Sequence, residues 1–145
     1  MSIRIASLSA ALLFCLGAQS RAQAAATPPE KQGVTYRSPG GTTLRLILSD
    51  ANVGPEISLG EMTFPPNADS GDHAHGAIEI FYVLSGELEH VVNGKSEILK
   101  PGMVGYVKPP DKIRHKTGPA GAKVVVMWVP GAEGSRIVSR WTKEP

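Results

Sequence analysis

From Thr42 onward the chain is cut every few residues by glycine or proline, and between those breaks the apolar residues do not recur at helical spacing. That punctuation restricts the fold to short strands joined by tight turns. Thr42 to Ser49 places Leu44, Leu46 and Leu48 on one face. Ile57 to Phe64 carries Ile57 and Leu59 before Gly60 but Met62 and Phe64 after it, so the apolar face changes and a bulge or bend is expected there. Ala77 to Leu84 is almost continuously apolar, the pattern of a strand buried on both faces, and Leu88 to Val92 follows a Ser85-Gly86 turn. Asn93-Gly94 is the strongest hairpin signal. Beyond it come a turn at Lys100-Pro101-Gly102, a strand from Val104 to Val107, a proline-stiffened loop from Lys108 to Asp111, and strands from Val124 to Val129 and Ile137 to Trp141. About ten such strands define an all-β fold, an antiparallel sandwich or barrel in one domain.

The N-terminal segment follows other rules. Arg4 precedes an apolar run from Ile5 to Leu16, and small residues follow at Ala22-Gln23-Ala24, which is the plan of a secretory signal peptide cleaved after Ala24 or Ala26. The apolar run is too short to span a bilayer, for which a helix needs about 20 residues. Phe14 before Cys15 fits a lipoprotein cleavage site poorly. Loss of this segment removes Arg4, Arg21 and the single cysteine, so 15 basic residues fall to 13 against 13 acidic ones. A net charge of zero gives no support for nucleic-acid binding, and after signal removal nothing predicts a membrane partner. The expected location is the periplasm or the medium, and an exported chain without disulfides has to be held by its core.

Three of the four histidines belong to one constellation. His73-Ala74-His75 on a strand would send both imidazoles to one face with Cα atoms about 6.6 Å apart, within reach of a single ion. Glu79 keeps the same parity and adds an oxygen donor. His115, after the Pro109-Pro110 turn, supplies the non-local ligand that a folded site needs. Imidazole with carboxylate suits one divalent transition metal, Fe, Mn, Ni, Zn or Cu, and disfavours Ca(II) and Mg(II).

The same residues resemble the first motif of the cupin superfamily, in which His-x-His is followed by Glu and, after six intervening residues, by Gly: here His73-Ala74-His75, Glu79 and Gly86. Asn67 stands where the motif opens with glycine, and asparagine is among the few residues that adopt positive φ readily. The second motif is represented by Pro110 to His115, with Lys112 in place of a glycine and Pro119 in place of the closing asparagine. The resemblance runs from about Leu44 to Val129. After the signal peptide at 1–24, read from its own residues, it implies a cupin domain at 41–145 preceded by a lead-in at 25–40. It further implies a jelly-roll barrel with the metal at its mouth, ligated by His73, His75, Glu79 and His115, and a homodimer formed through edge strands.

Four protein ligands on a six-coordinate metal leave two open positions, which distinguishes a reactive site from a closed structural one. Cupins with this ligand set include dioxygenases, decarboxylases, isomerases and lyases, so the fold does not choose the reaction. The expectation is an enzyme acting on a small oxygenated organic molecule, with oxidative cleavage ahead of the lyase-type reactions; the alternative is a non-enzymatic binder of a small ligand or metal. His90, sharing parity with Leu88 and Val92, is the candidate proton-transfer residue if that face lines the lumen. Met62, Phe64, Phe81, Val83, Tyr106 and Met127 are candidate lumen residues, and Tyr82 and Trp128 are placed between sheets or at a dimer contact. Lys108, Lys112, Arg114 and Lys116 surround His115 and could attract an anion. A serine or cysteine nucleophile is not supported, for want of a Gly-x-Ser-x-Gly turn and a cysteine.

Overall fold

Two long strands, each alternating buried and exposed residues, set the architecture. The computed structural model describes residues 32–145; the expected signal peptide and the first part of the lead-in lie outside the described residues. The elements are β1 (Val34–Arg37), β2 (Thr43–Leu48), β3 (Ser58–Phe64), β4 (Ile78–Val92), β5 (Lys95–Leu99), β6 (Val104–Val107), β7 (Ile113–Val129), α1 (Ala132–Val138) and β8 (Thr142–Lys143). The strands form an antiparallel sheet in the order β5-β4-β7-β3-β2-β1-β8, with β6 also paired to β4. The fold is all-β, as the turn spacing predicts.

β4 and β7 pair from Ile78 opposite Val129 to Val92 opposite Ile113, with register shifts on either side of Gly86. What reads in the sequence as two strands, Ala77–Leu84 and Leu88–Val92, is therefore one bulged strand. Gly86 has φ +73°, and a Cβ there would lie 2.1 Å from the Gly121 carbonyl oxygen, so only glycine lets the two strands approach at the bulge. Along β4 the residues Glu79, Phe81 and Val83 are buried, whereas Ile78, Tyr82 and Leu84 are exposed. The strand is thus covered on one face only. Phe81, Val83, Leu88, Val124, Val126 and Trp128 form the floor of the core, closed over by Leu44, Met62 and Phe64. Each such side chain contributes about 1.5–3 kcal/mol through burial.

Other elements depart from the sequence expectation in informative ways. β3 alternates without a break, burying Ser58, Gly60, Met62 and Phe64, and the irregularity expected at Gly60 lies instead on its partner β2, between Leu46 and Leu48. Gly60 is there because a Cβ would fall 2.6 Å from the Arg45 carbonyl oxygen. Ile137 to Trp141, expected as a strand, supplies the end of α1 and the turn after it. Gly134 lets the helix settle onto β3, since a Cβ would meet Ser58 Oγ at 2.4 Å. The chain then returns as β8 beside β1, a strand that falls within the segment expected as lead-in. Asn67 does take a positive φ (54°), and Asn93 (50°) with Gly94 (80°) makes the hairpin between β4 and β5.

Candidate metal centre

His73 and His75 reach the cavity on an irregular stretch that precedes β4, and not on a hairpin strand. The stretch is stitched to the start of β7: His73 and Ile113 exchange backbone hydrogen bonds (2.9 and 2.8 Å), Ser70 N–H donates to the His115 carbonyl (2.9 Å), and His115 N–H donates to Ser70 Oγ (2.9 Å). Asp69 adds a two-pronged ion pair with Arg114 (2.7 and 2.5 Å). Gly76 and the absence of further pairing keep the segment from becoming a ladder, yet the two imidazoles still lie together, 5.0 Å apart and nearly perpendicular. His73 Nδ1–H donates to the Gly71 carbonyl (3.0 Å), which leaves the Nε2 lone pair free.

Glu79 is 2% exposed. Its Oε1 accepts from the Trp128 indole N–H at 2.8 Å. Its Oε2 faces His75 Nε2 at 3.0 Å, but off the line of a hydrogen bond, so both buried atoms are left without a hydrogen-bond partner. On the far side of the ring, His75 Nδ1–H donates to Glu133 Oε1 (2.8 Å), and Glu133 is also held by Arg136 through Nε (2.8 Å) and a terminal guanidinium nitrogen. Arg136, and after it His75, hold the Glu133 carboxyl down at about 2 against the opposing effect of burial. Burial favours the neutral form of His75, but Glu79 and Glu133 together outweigh it and raise its pKa. The site thus stabilises positive charge at the ring.

His115 points elsewhere. The Tyr106 carbonyl can only accept, so His90 donates to it from Nε2–H (3.4 Å) and leaves Nδ1 as an acceptor; the 3.2 Å contact is then His115 Nε2–H donating to His90 Nδ1. The two rings stack 5.3 Å apart, 19° from parallel. Burial holds His115 well below its ordinary pKa and lowers that of His90, so this buried pair is neutral. Accordingly, among the described residues no three His, Cys, Asp or Glu side chains close on one point as a ready-made cage. His115 still sits beside the others, 5.8 Å from His73 and 4.6 Å from Phe81 between ring centres. The turn before it survives the substitution at Lys112, because Asn93 receives the Lys112 N–H (3.0 Å) and donates to Asp111 (2.7 Å).

His73, His75, Glu79 and His115 all line one cavity of about 420 Å³, within the range of small-molecule sites. Met62, Phe64 and Phe81 line it as expected, whereas Tyr106 is 65% exposed on the outer face and Met127 is directed away from the buried side. Trp128, expected between sheets or at a dimer contact, is fully buried against Glu79, whereas Tyr82 is exposed. None of Lys108, Lys112, Arg114 and Lys116 lines the cavity; Arg114 is committed to Asp69 and Asp72, and Lys116 to Glu89. The basic groups at the cavity are Arg136 and Arg140 instead. Glu133, Arg136 and Arg140 escaped the sequence reading because Ile137 to Trp141 was read as a strand; the available signal was their i, i+3, i+7 spacing, which places them on one helical face.

The described residues thus form an antiparallel β fold in which three imidazoles and a carboxylate line one cavity. Residues 60–130 match the model of the cupin domain. Among solved structures, the chain is similar to a predicted oxalate decarboxylase from Thermotoga maritima (22% identity over 69% of this chain and 94% of that one, TM-score 0.60). It is also similar to an RmlC-like cupin from Shewanella frigidimarina (21%, 70% and 88%, 0.60) and to the polyketide cyclase RemF from Streptomyces resistomycificus (24%, 66% and 73%, 0.59). No curated protein matches the sequence significantly. The chain belongs to the cupin superfamily and has its jelly-roll β fold.

The residues present fit a cation by their chemistry. An imidazole nitrogen and a carboxylate oxygen, both buried and both lacking a hydrogen bond, turn towards each other, and an unpartnered buried pair of this kind costs free energy that a shared cation would offset. His73 offers a third donor through Nε2. His115 can join only by giving up its hydrogen bond to His90.

Proposed function

We propose that this chain is an exported, metal-dependent cupin enzyme acting on a small oxygenated organic molecule. The metal is a divalent transition ion held by His73, His75 and Glu79, with His115 as the fourth ligand once its ring leaves His90. The facing, unpartnered His75 Nε2 and Glu79 Oε2 carry this reading. Such an ion would supply Lewis acidity and, if redox-active, a site for dioxygen. Glu133 sets the tautomer that leaves His75 Nε2 free, Trp128 orients Glu79, and Phe64, Phe81 and Met62 exclude water from the cavity. His90, whose Nε2–H donates to the Tyr106 carbonyl, would offer its Nδ1 as a proton acceptor once the His115 ring turns away from it. Oxidative cleavage is the first reaction to assay, with decarboxylation, lyase and isomerase chemistry next. The outer face of β4 and β6, where Tyr82, Val104 and Tyr106 are exposed side by side, is the surface a second copy would cover.

The test is metal analysis of protein exported to its own compartment, followed by dioxygen uptake and product analysis on catechols, diketones, flavonols and short carboxylic acids. Stoichiometric metal together with turnover, both lost in His75→Ala, is the expected result. Protein that takes up no transition ion would overturn the reading, and tight ligand binding without turnover would make the chain a binder.

A further inference from the structure

The cavity that holds the histidines has a second donor set, supplied by the C-terminal segment. Arg136, Arg140 and Trp141 line it together with Ser38 and Thr42 from the connection between β1 and β2. Arg136 spends Nε and one terminal nitrogen on Glu133, leaving its other terminal nitrogen. Arg140 makes no ion pair with a carboxylate among the described residues, whereas Asp69 is matched by Arg114, Glu133 behind the cavity by Arg136 and His75, and Glu79 is turned towards His75. A guanidinium without a carboxylate partner at the wall of a cavity is a site for an anion, because it is always charged and its planar fork matches two oxygens.

We propose that Arg140, assisted by the remaining donors of Arg136, is an anion subsite that takes the carboxylate of a small monoanionic ligand whose apolar body lies against Phe64, Ile137 and Trp141. This rests on the reading of the cavity as a small-molecule site. Charge matching selects the class: one uncompensated guanidinium balances one carboxylate, whereas a dianionic phosphate would leave a negative charge close to Glu133 and Asp69. The basic residues around His115 do not line the cavity, and two of them, Arg114 and Lys116, are neutralised locally.

Benzoate, benzamide and phenyl phosphate share a ring and differ only in the recognised group, so their binding to the full mature chain, followed by calorimetry and by tryptophan fluorescence, isolates the subsite. Benzoate should bind more tightly than benzamide, and Arg140→Gln should weaken benzoate roughly tenfold while leaving benzamide unchanged, as expected for loss of a charge-assisted hydrogen bond at a partly exposed position. Arg140→Lys, which keeps the charge and loses the fork, should fall between the two and serves if the glutamine variant does not fold. Equal affinity for benzoate and benzamide, or an unchanged benzoate affinity in Arg140→Gln, would overturn the proposal; preference for phenyl phosphate would overturn the assignment to carboxylate. Metal content measured in the same samples separates the two readings. An Arg140-dependent benzoate preference in protein that takes up no metal would sustain the subsite and sink the metal-dependent function, and full metal occupancy without that preference would do the reverse.

Discussion

Glu133 holds His75 and Arg136 among the cavity residues, and its replacement tests whether α1 tunes the proposed metal centre. The Nδ1–H to Oε1 bond is 2.8 Å long between side chains that are 7% and 6% exposed, so little solvent competes for it. An ionic acceptor at Nδ1 fixes the tautomer and makes Nε2 the stronger donor. A hydrogen bond to a charged group in such a place contributes about 1.5–3 kcal/mol, and loss of an outer-shell partner to a ligating imidazole lowers metal affinity about 10–100-fold. Glu133→Ala should therefore weaken Zn(II) or Mn(II) binding by that factor in a competition titration of metal-free protein. Glu133→Gln, which keeps an acceptor of the same shape but not the charge, should lie nearer the low end. Nitrogen NMR of the imidazoles supplies the readout that simple destabilisation would not move: in wild type His75 carries its proton on Nδ1, and in the alanine variant the tautomers mix. If both variants bind metal within about twofold of wild type and the His75 tautomer is unchanged, Glu133 serves packing alone and the reasoning fails.

Trp128→Phe keeps an aromatic ring, though a smaller one, and removes the hydrogen bond to Glu79 Oε1; beyond the cost of the lost indole volume, the buried carboxylate should then cost about 1–3 kcal/mol of stability in a denaturant titration, and metal affinity should fall with it. Glu61 has its pKa lowered by hydrogen bonds from Arg45 and then Lys123, so its contribution is complete above the unfolded-state carboxylate pKa of about 4.3 and is lost as pH falls through the lower folded value. The Tm of Glu61→Gln should therefore decline less steeply with acidification below about pH 4.3, and equal slopes would show that the pair contributes nothing. Tyr106→Glu places a charge at the centre of the exposed β4 and β6 face; sedimentation should report a dimer for wild type and a monomer for the variant, and a wild-type monomer would remove the proposed interface.

Much of this molecule was legible because local rules and tertiary structure agree. Asn93-Gly94 makes its hairpin, Asn67 takes the positive φ left by a missing glycine, and the alternation of Phe81 and Val83 marks the inner face of β4. The failures arise where one residue answers to a neighbour distant in sequence. The run from Ala77 to Leu84 reads as buried on both faces, although Tyr82 and Leu84 are exposed, because periodicity cannot tell a covered face from one awaiting a partner. Ile137 to Trp141 reads as a strand because a seven-residue helix is too short to show its period, and α1 is held by its seat on Ser58 and not by propensity. His73, His75, Glu79 and His115 were found together, but spacing could not foresee that His115 donates to His90, a choice forced by the Tyr106 carbonyl.

That last contact bears on how the buried donors share the hydrogen-bond partners around them. Three imidazoles and a carboxylate in one buried pocket cannot all keep free lone pairs without cost, and the structure reduces that cost unequally. His73 is held by the Gly71 carbonyl and His115 by His90, while His75 and Glu79 keep their unpartnered atoms turned towards each other. The two groups least satisfied are also the two anchored from behind, by Glu133 and by Trp128. An atom that is both fixed and unpartnered cannot relax by rotating away, so its desolvation cost persists until a ligand removes it. His115, by contrast, has an alternative partner and can exchange it. On this argument His75 and Glu79 form the preorganised half of the centre and His115 the adjustable half. Apart from Trp128 on β7, the groups that anchor and flank the fixed half, Glu133, Arg136 and Arg140, come from one short C-terminal stretch outside the strand core, so recognition can change there while the β framework stays as it is.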